Sequence, residues 1–179
     1  MSTVELSQEN GTLHLHTGVA GRAARMGHNL LIAVEAWNAN VEFKGKVPTA
    51  VSLTAQLSSL DVVEGHGGVK PLSGGDREQI RANALRSLRE ADFPTVTFNV
   101  TQLIVADSGY DVVGALTIAG VTKPLTARIT TTDEGDHWRV ATSVTVKQTD
   151  FDVAPYSAMM GALKLRDEVE VDFEAFLTV

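Results

Sequence analysis

The chain has 179 residues, enough to bury a substantial core, and we predict a single domain over residues 1–179. Its formal net charge is −7, from 15 Lys and Arg against 22 Asp and Glu, and it has no basic run that could follow a phosphate backbone, which argues against a nucleic-acid partner. It contains no cysteine, which excludes disulfides, thiolate catalysis and cysteine-ligated metals.

The N-terminus, "MSTVELSQENGTLHLHTG", lacks the basic region followed by an apolar region that marks a secretory signal. No later window is long and apolar enough to cross a bilayer. We therefore expect a cytoplasmic protein without an integral membrane segment.

The first third of the chain predicts strands with one irregularity. "GTLHLHTG" indicates a short strand, whereas "NLLIAVEAWNANVEFKG" is too long for one regular strand. Its apolar face shifts by one residue along the way, from Leu30, Ile32, Val34 and Ala36 to Trp37, Ala39, Val41 and Phe43. Such a shift is typical of a bulge or bend at the corner of a barrel.

One convincing helix is predicted over about residues 76–90, "DREQIRANALRSLRE". Ser73 or Asp76 can cap its N-terminus, and Pro94 excludes its continuation. An apolar stripe at helical spacing consists of Ile80, Ala84, Leu85 and Leu88. A second, short helical turn is expected near residues 157–163.

From residue 51 onward, apolar and polar residues alternate in several segments, as in half-buried strands. The apolar members of these segments are Val51, Leu53, Ala55 and Leu57; Val96, Phe98 and Val100; Tyr110, Val112, Gly114, Leu116 and Ile118; Leu125, Ala127 and Ile129; Trp138, Val140, Thr142, Val144 and Val146; and Val169, Val171, Phe173, Ala175, Leu177 and Val179. Strands with one apolar, buried face and one polar, solvent-exposed face are typical of antiparallel sheets. About eight such strands without a βαβ rhythm predict an all-β, up-and-down antiparallel barrel.

Many of the residues predicted to face inward are small, which leaves room inside a barrel of this size. They are Ala33, Ala39, Ala55, Gly114, Ala127, Thr142 and Ala175. Because this space carries few polar groups, it would suit an apolar guest.

The histidines offer a metal site as one interpretation. His14 and His16 share a strand face and could join His28 as three ligands. Leu13 and Leu15 occupy the opposite face, so the first two histidines are expected to point to solvent if the leucines are buried. We favour that structural interpretation and predict no metal and no cofactor.

Other chemistry-bearing patterns are also better explained by structure. Carboxylates repeat every second residue at Glu168, Glu170, Asp172 and Glu174. Such a row is typical of a solvated face that discourages edge pairing rather than of a metal site. Neither a G-x-S-x-G nucleophile turn nor a phosphate-binding glycine loop occurs.

Two segments could border an opening of the barrel. Arg22, Arg25 and His28, in "GRAARMGHN", could meet a carboxylate or phosphate head group, or the arginines could pair with surface carboxylates. Met159 and Met160 could form an adaptable apolar lid, or could simply pack within their loop.

Several motifs, in order, resemble those of the YceI-like, polyisoprenoid-binding family over residues 10–178. They are "GHN" at the start of a long strand, "REQIRANAL" followed by "LREADFPTVTF", "VVGALTIAGVTKPLTARI", "VKQTDFDV" and "LKLRDEVEVDFEA". The resemblance implies an extended lipocalin-like barrel of eight strands with a helix over one end, and a channel for a long isoprenoid. It also implies a homodimer; many relatives are periplasmic or secreted.

Together, the alternation and the resemblance predict a non-catalytic carrier or sequestering protein for a polyprenyl lipid, an isoprenoid quinone or a fatty-acyl compound. The head group is expected to meet Arg22, Arg25 or His28. The predicted channel lining is Leu53, Leu57, Val96, Phe98, Leu116, Trp138, Val140, Val169, Val171 and Phe173. The alternatives are a hydrolase or isomerase of a hydrophobic substrate with His28 as base, and an interaction domain whose own side chains fill the barrel.

Overall fold

A computed structural model describes residues 1–178; Val179, predicted to continue the last apolar face, lies outside the described residues. Strands make up most of the described chain, which has a single α-helix, α1, at Gly74–Ser87. The strands are β1 Ser2–Ser7, β2 Gly11–Thr17, β3 Val19–Ala20, β4 His28–Val34, β5 Trp37–Lys44, β6 Val47–Gln56, β7 Leu60–Gly67, β8 Thr95–Ala106, β9 Gly109–Ile118, β10 Val121–Asp133, β11 Trp138–Lys147, β12 Ser157–Ala158, β13 Leu163–Leu165 and β14 Glu168–Leu177.

The large sheet has eleven strands, so the predicted number of eight is wrong. Their order is β1-β5-β6-β8-β9-β10-β11-β14-β2-β4-β7, and every pairing is antiparallel. At β1–β2, β4–β5 and β6–β7, one long segment is divided by two or three residues into two strands that pair with different neighbours. In the sequence such a break is at most a change of phase, which does not distinguish a bend from the end of a strand and explains the lower count.

The sheet curls around one interior, consistent with a lipocalin-like barrel. The curl follows from the pairings, because β2 pairs with β14 while β1, which directly precedes β2, pairs with β5. A second sheet of three short strands, β12-β13-β3, lies at the end where β4 begins. In residues 1–178, no helix has the length and apolar character needed to span a membrane.

The predicted bend in the early segment is confirmed. β4 ends at Val34 and β5 begins at Trp37, with Glu35 and Ala36 between them. The buried residues change phase across this break, from Leu30, Ile32 and Val34 to Trp37, Ala39 and Phe43. The same alternation places Ala33 on the outer face, so its predicted inward orientation is wrong.

The helix lies earlier than the predicted range of 76–90. Ser73 is its N-cap and forms a capping box with Asp76, so the glycines at 74 and 75 belong to the first turn. It ends at Ser87 because Arg89 adopts a left-handed conformation, with φ of 53°, a role that a glycine usually signals in sequence.

The helical turn expected near 157–163 is shorter than predicted. It is a 3₁₀ turn over Met159–Gly161, flanked by the strands β12 and β13.

Candidate ligand-binding cavity

The interior of the curled sheet holds a cavity of about 710 Å³ with an almost wholly apolar wall. Each long strand contributes alternate residues to it, because successive side chains of a strand point to opposite faces. On β9, for example, Val112, Leu116 and Ile118 line the cavity whereas Val113 and Ala115 do not. Its volume lies within the range of pockets that enclose small ligands.

The structure brings the ten predicted lining residues together. All of them border this single cavity: Leu53, Leu57, Val96, Phe98, Leu116, Trp138, Val140, Val169, Val171 and Phe173. Of the small residues predicted to leave room, Ala39, Ala55, Ala127 and Thr142 also border it. That these side chains contact a ligand stays a prediction.

Helix α1 supplies part of the wall, a role that sequence analysis missed. Ile80, Ala84 and Leu88, from its apolar stripe, border the cavity together with Asn83 and Ser87. The sequence signal was the stripe itself, which shows that a helix buries one face but not what that face covers.

Two arginines hold α1 against the open edge of β7. Arg77 Nη1 donates to the carbonyl oxygens of Val62 and Val63, at 3.2 and 2.8 Å. Arg81 Nε donates to the carbonyl oxygen of Leu60 at 2.9 Å, and its Nη2 donates to that of Ser58. The helix therefore satisfies carbonyl groups that a further strand would otherwise have paired.

A few polar atoms lie buried against the apolar wall. Within the described chain, Thr17 Oγ1 and Thr142 Oγ1 are buried and have no hydrogen-bond partner. Both threonines border the cavity. Thr142 lies where β10 and β11 have separated, because their pairing stops at Thr130 and Ala141. Since buried hydroxyls normally find a partner, these two are unpaired polar groups in residues next to the cavity.

The cavity extends to both ends of the barrel. Lys46, Tyr110 and Trp138 border it at the end that carries the β5–β6, β8–β9 and β10–β11 connections. His28 and Lys164 border it at the opposite end, beside the small sheet. The two lysines were not predicted, because the alternation of apolar residues marks neither Lys46, in the β5–β6 turn, nor Lys164, in β13.

Of the three predicted head-group residues, only His28 borders the cavity. Its Nε2 lies 2.7 Å from the carbonyl oxygen of Lys70. Because a carbonyl can only accept, Nε2 carries a proton, which leaves Nδ1 of the neutral ring as an acceptor. Arg22 and Arg25 are exposed and lie outside the lining.

The other histidines of the predicted cluster lie on the outer face. Leu13 is buried, whereas His16 is exposed and its Nε2 lies 2.7 Å from Asp172 Oδ2. Partial burial raises the pKa of Asp172, but hydrogen bonds from Ser143 and His16 outweigh it and hold the pKa below its usual value. No group of three or more His, Asp or Glu side chains among residues 1–178 is arranged to hold a metal ion.

The β10–β11 turn contains a pH-sensitive contact next to the cavity residue Trp138. His137 Nδ1 lies 2.5 Å from Asp136 Oδ1, and its Nε2 lies 2.8 Å from Glu134 Oε2. Hydrogen bonds to Asp136 and then to Glu134 raise the pKa of His137 above its ordinary value.

Because folding raises the pKa of His137, its contribution to stability is complete below the pKa of the unfolded chain and is lost as pH rises through the folded pKa. We expect an NMR titration of the His137 ring to show a midpoint above that of the unfolded chain. The substitutions Asp136→Asn and Glu134→Gln should lower that midpoint. A wild-type midpoint at or below the unfolded value would contradict the contact.

Comparisons with known proteins agree with this architecture. The family model described as "YceI-like domain" matches residues 9–177. The crystal structure of Burkholderia cenocepacia BcnA is similar, with a TM-score of 0.73 and 16% identity over 97% of this chain and 99% of that chain. A Campylobacter jejuni YceI protein has a TM-score of 0.62 and 17% identity over 83% of this chain and 84% of that chain. A search of curated proteins found no match. At these identities, the similar structures show a common fold.

Proposed function

The chain belongs to the family of YceI-like domains, and we propose that it acts as a carrier or sequestering protein, without catalysis, for a long-chain isoprenoid or similar amphiphilic lipid. The observation that carries this proposal is the apolar cavity of about 710 Å³ that extends along the barrel. The family is known for polyisoprenoid-binding proteins with a barrel fold, which supports the same ligand class.

Apolar burial alone supplies enough affinity for such a ligand. An isoprenoid tail that buries about 400 Å² gains ~10 kcal/mol at about 25 cal/mol per Å². The loss of translational and rotational freedom on association offsets at least ~4 kcal/mol of this gain. No charged anchor inside the barrel is required, in agreement with the apolar wall.

The ligand's polar groups need different contacts. In our proposal the tail lies along the ten predicted lining residues and the head group meets His28, whose ring can accept or donate a hydrogen bond. A quinone or ester oxygen along the chain would accept from the hydroxyl of Thr17 or Thr142. We further propose a single domain, a homodimer and a cytoplasmic location, which stay predictions from the sequence and the resemblance.

The test is organic extraction of the protein purified from its own host, followed by mass spectrometry. We expect a prenyl or acyl species in stoichiometric amount. Titration of the extracted protein with long-chain prenols and isoprenoid quinones should then restore occupancy. If neither extraction nor titration reveals a bound amphiphile, the proposal is wrong.

A further inference from the structure

Three segments meet at the end of the barrel that His28 borders, and we call this surface the mouth. They are residues 18–29, 67–72 and 154–166. Ala23 N donates to the carbonyl oxygen of Ala162 at 2.8 Å, and Arg166 N donates to that of Gly18 at 2.8 Å. The second segment joins them through the pairing of Gly67 with His28. The mouth is therefore one continuous surface.

The charge of the mouth is opposite to that of the whole chain. Its three segments hold five of the 15 Lys and Arg residues and none of the 22 Asp and Glu residues. All five cations are exposed, and none forms an ion pair within residues 1–178. They are Arg22, Arg25, Lys70, Lys164 and Arg166.

Large apolar side chains project between these cations. Met26 is 48% exposed, Met159 is 51% exposed and Met160 is fully exposed. Val69, in the segment 67–72, and Tyr156, in the same segment as Met159 and Met160, are exposed as well. Because Met26 also borders the cavity, the exposed apolar surface is continuous with the apolar interior.

The methionine loop presents its side chains at a conformational cost. Met159 and Met160 have φ values of 52° and 56°, in the left-handed region that residues with long side chains rarely adopt. Glycine or asparagine would adopt this conformation with less strain. Strained, exposed methionines beside a cavity opening are expected where their apolar surface is buried against a partner.

We propose that the mouth docks onto a lipid bilayer that contains anionic lipids. The five cations would meet the lipid head groups, and the methionines would enter the boundary between head groups and acyl chains. This placement would let an amphiphile pass between bilayer and cavity without crossing water. The inference rests on the proposed function, since it identifies the bilayer as the source or destination of the ligand.

The opposite end of the barrel differs from the mouth in charge. It also exposes apolar side chains, Ile104 and Val105, but its turns carry four acids, Asp107, Asp133, Glu134 and Asp136, against two lysines, Lys44 and Lys46. An anionic surface would repel that end and attract the mouth, so the charge distribution orients the molecule. The opposite end also supplies matched control positions, because Val105 is 79% exposed.

Vesicle flotation tests the docking directly. We expect the wild-type chain to float with vesicles of phosphatidylcholine and phosphatidylglycerol, weakly with phosphatidylcholine alone, and less at high salt. Replacing Arg22 and Arg25 by glutamine should lower partitioning about fivefold for each cation, whereas Lys44→Gln at the opposite end should have little effect.

Replacing Met159 and Met160 by asparagine removes apolar surface but suits the left-handed backbone, so the fold is retained. We expect this variant to lose at least tenfold in partitioning, and Val105→Ser to match the wild type. The proposal would be overturned if both variants floated equally, or if the wild-type chain floated equally with charged and with neutral vesicles. The proposal would also be overturned if the mouth bound a protein partner and the chain bound no vesicles.

A second measurement separates docking from ligand binding. The Met159 and Met160 variant should take up a prenol added from ethanol as the wild type does, but should extract it from vesicles much more slowly. If the wild-type chain takes up prenol yet ignores anionic vesicles, docking is wrong and the carrier function stands. If it binds vesicles but no amphiphile by either route, the proposed function is wrong.

Discussion

Replacement of Leu116 by tryptophan is expected to weaken prenol binding strongly while the barrel still folds. Leu116 lies on β9, is 7% exposed and borders the cavity where it approaches the cluster of Phe151 and Val153. An indole at this position would occupy space that the ligand's tail needs. If the tail loses about 100 Å² of burial, the affinity falls by ~2.5 kcal/mol, or roughly 70-fold.

The neighbouring position provides the control. Ala115 lies on the same strand but outside the cavity lining, so Ala115→Trp adds the same side chain to the outer face. This variant should bind prenol like the wild type. Equilibrium binding of a long-chain prenol, with thermal unfolding of each variant, measures both effects. Leu57→Trp provides a second obstruction if Leu116→Trp misfolds, and unchanged binding by a folded variant would disprove the assignment of the lining.

The lining could be predicted from the sequence because the alternation within a strand assigns each residue to one of its two faces. In a half-buried strand the apolar face is every second residue, so Leu116 and Ala115 are assigned to opposite faces without knowledge of the neighbouring strands. The bend between Val34 and Trp37 was equally visible, since a one-residue change of phase has few structural explanations.

Other features depend on contacts that alternation does not encode. Each of the three breaks changes the phase of the apolar residues, as between Val34 and Trp37, but such a change does not show whether a strand bends or ends, so eleven strands were counted as eight. The helix ends at Ser87 because Arg89, which is not glycine, adopts a left-handed conformation. The role of the mouth depends on three distant segments whose charges add up only once the chain has folded.

The second large effect concerns the attachment of α1. Replacing Arg77 and Arg81 together by alanine removes the side-chain hydrogen bonds to four carbonyl groups of Ser58, Leu60, Val62 and Val63. Hydrogen bonds from charged groups contribute about 1.5–3 kcal/mol each, less where water can replace them. We expect a loss of about 3 kcal/mol in the free energy of unfolding, measured by chemical denaturation.

The same variant should release its ligand faster, because α1 forms a wall of the cavity through Ile80, Ala84 and Leu88. We expect the dissociation rate of a bound prenol to rise at least tenfold, measured by transfer to excess acceptor vesicles. Arg86→Ala is the matched control on this helix, since Arg86 is exposed and its side-chain hydrogen bond, at 3.3 Å, is to Asn83 of the same helix. It should change neither quantity appreciably. Unchanged release from a destabilised Arg77 and Arg81 variant would show that α1 supports the barrel without closing the cavity.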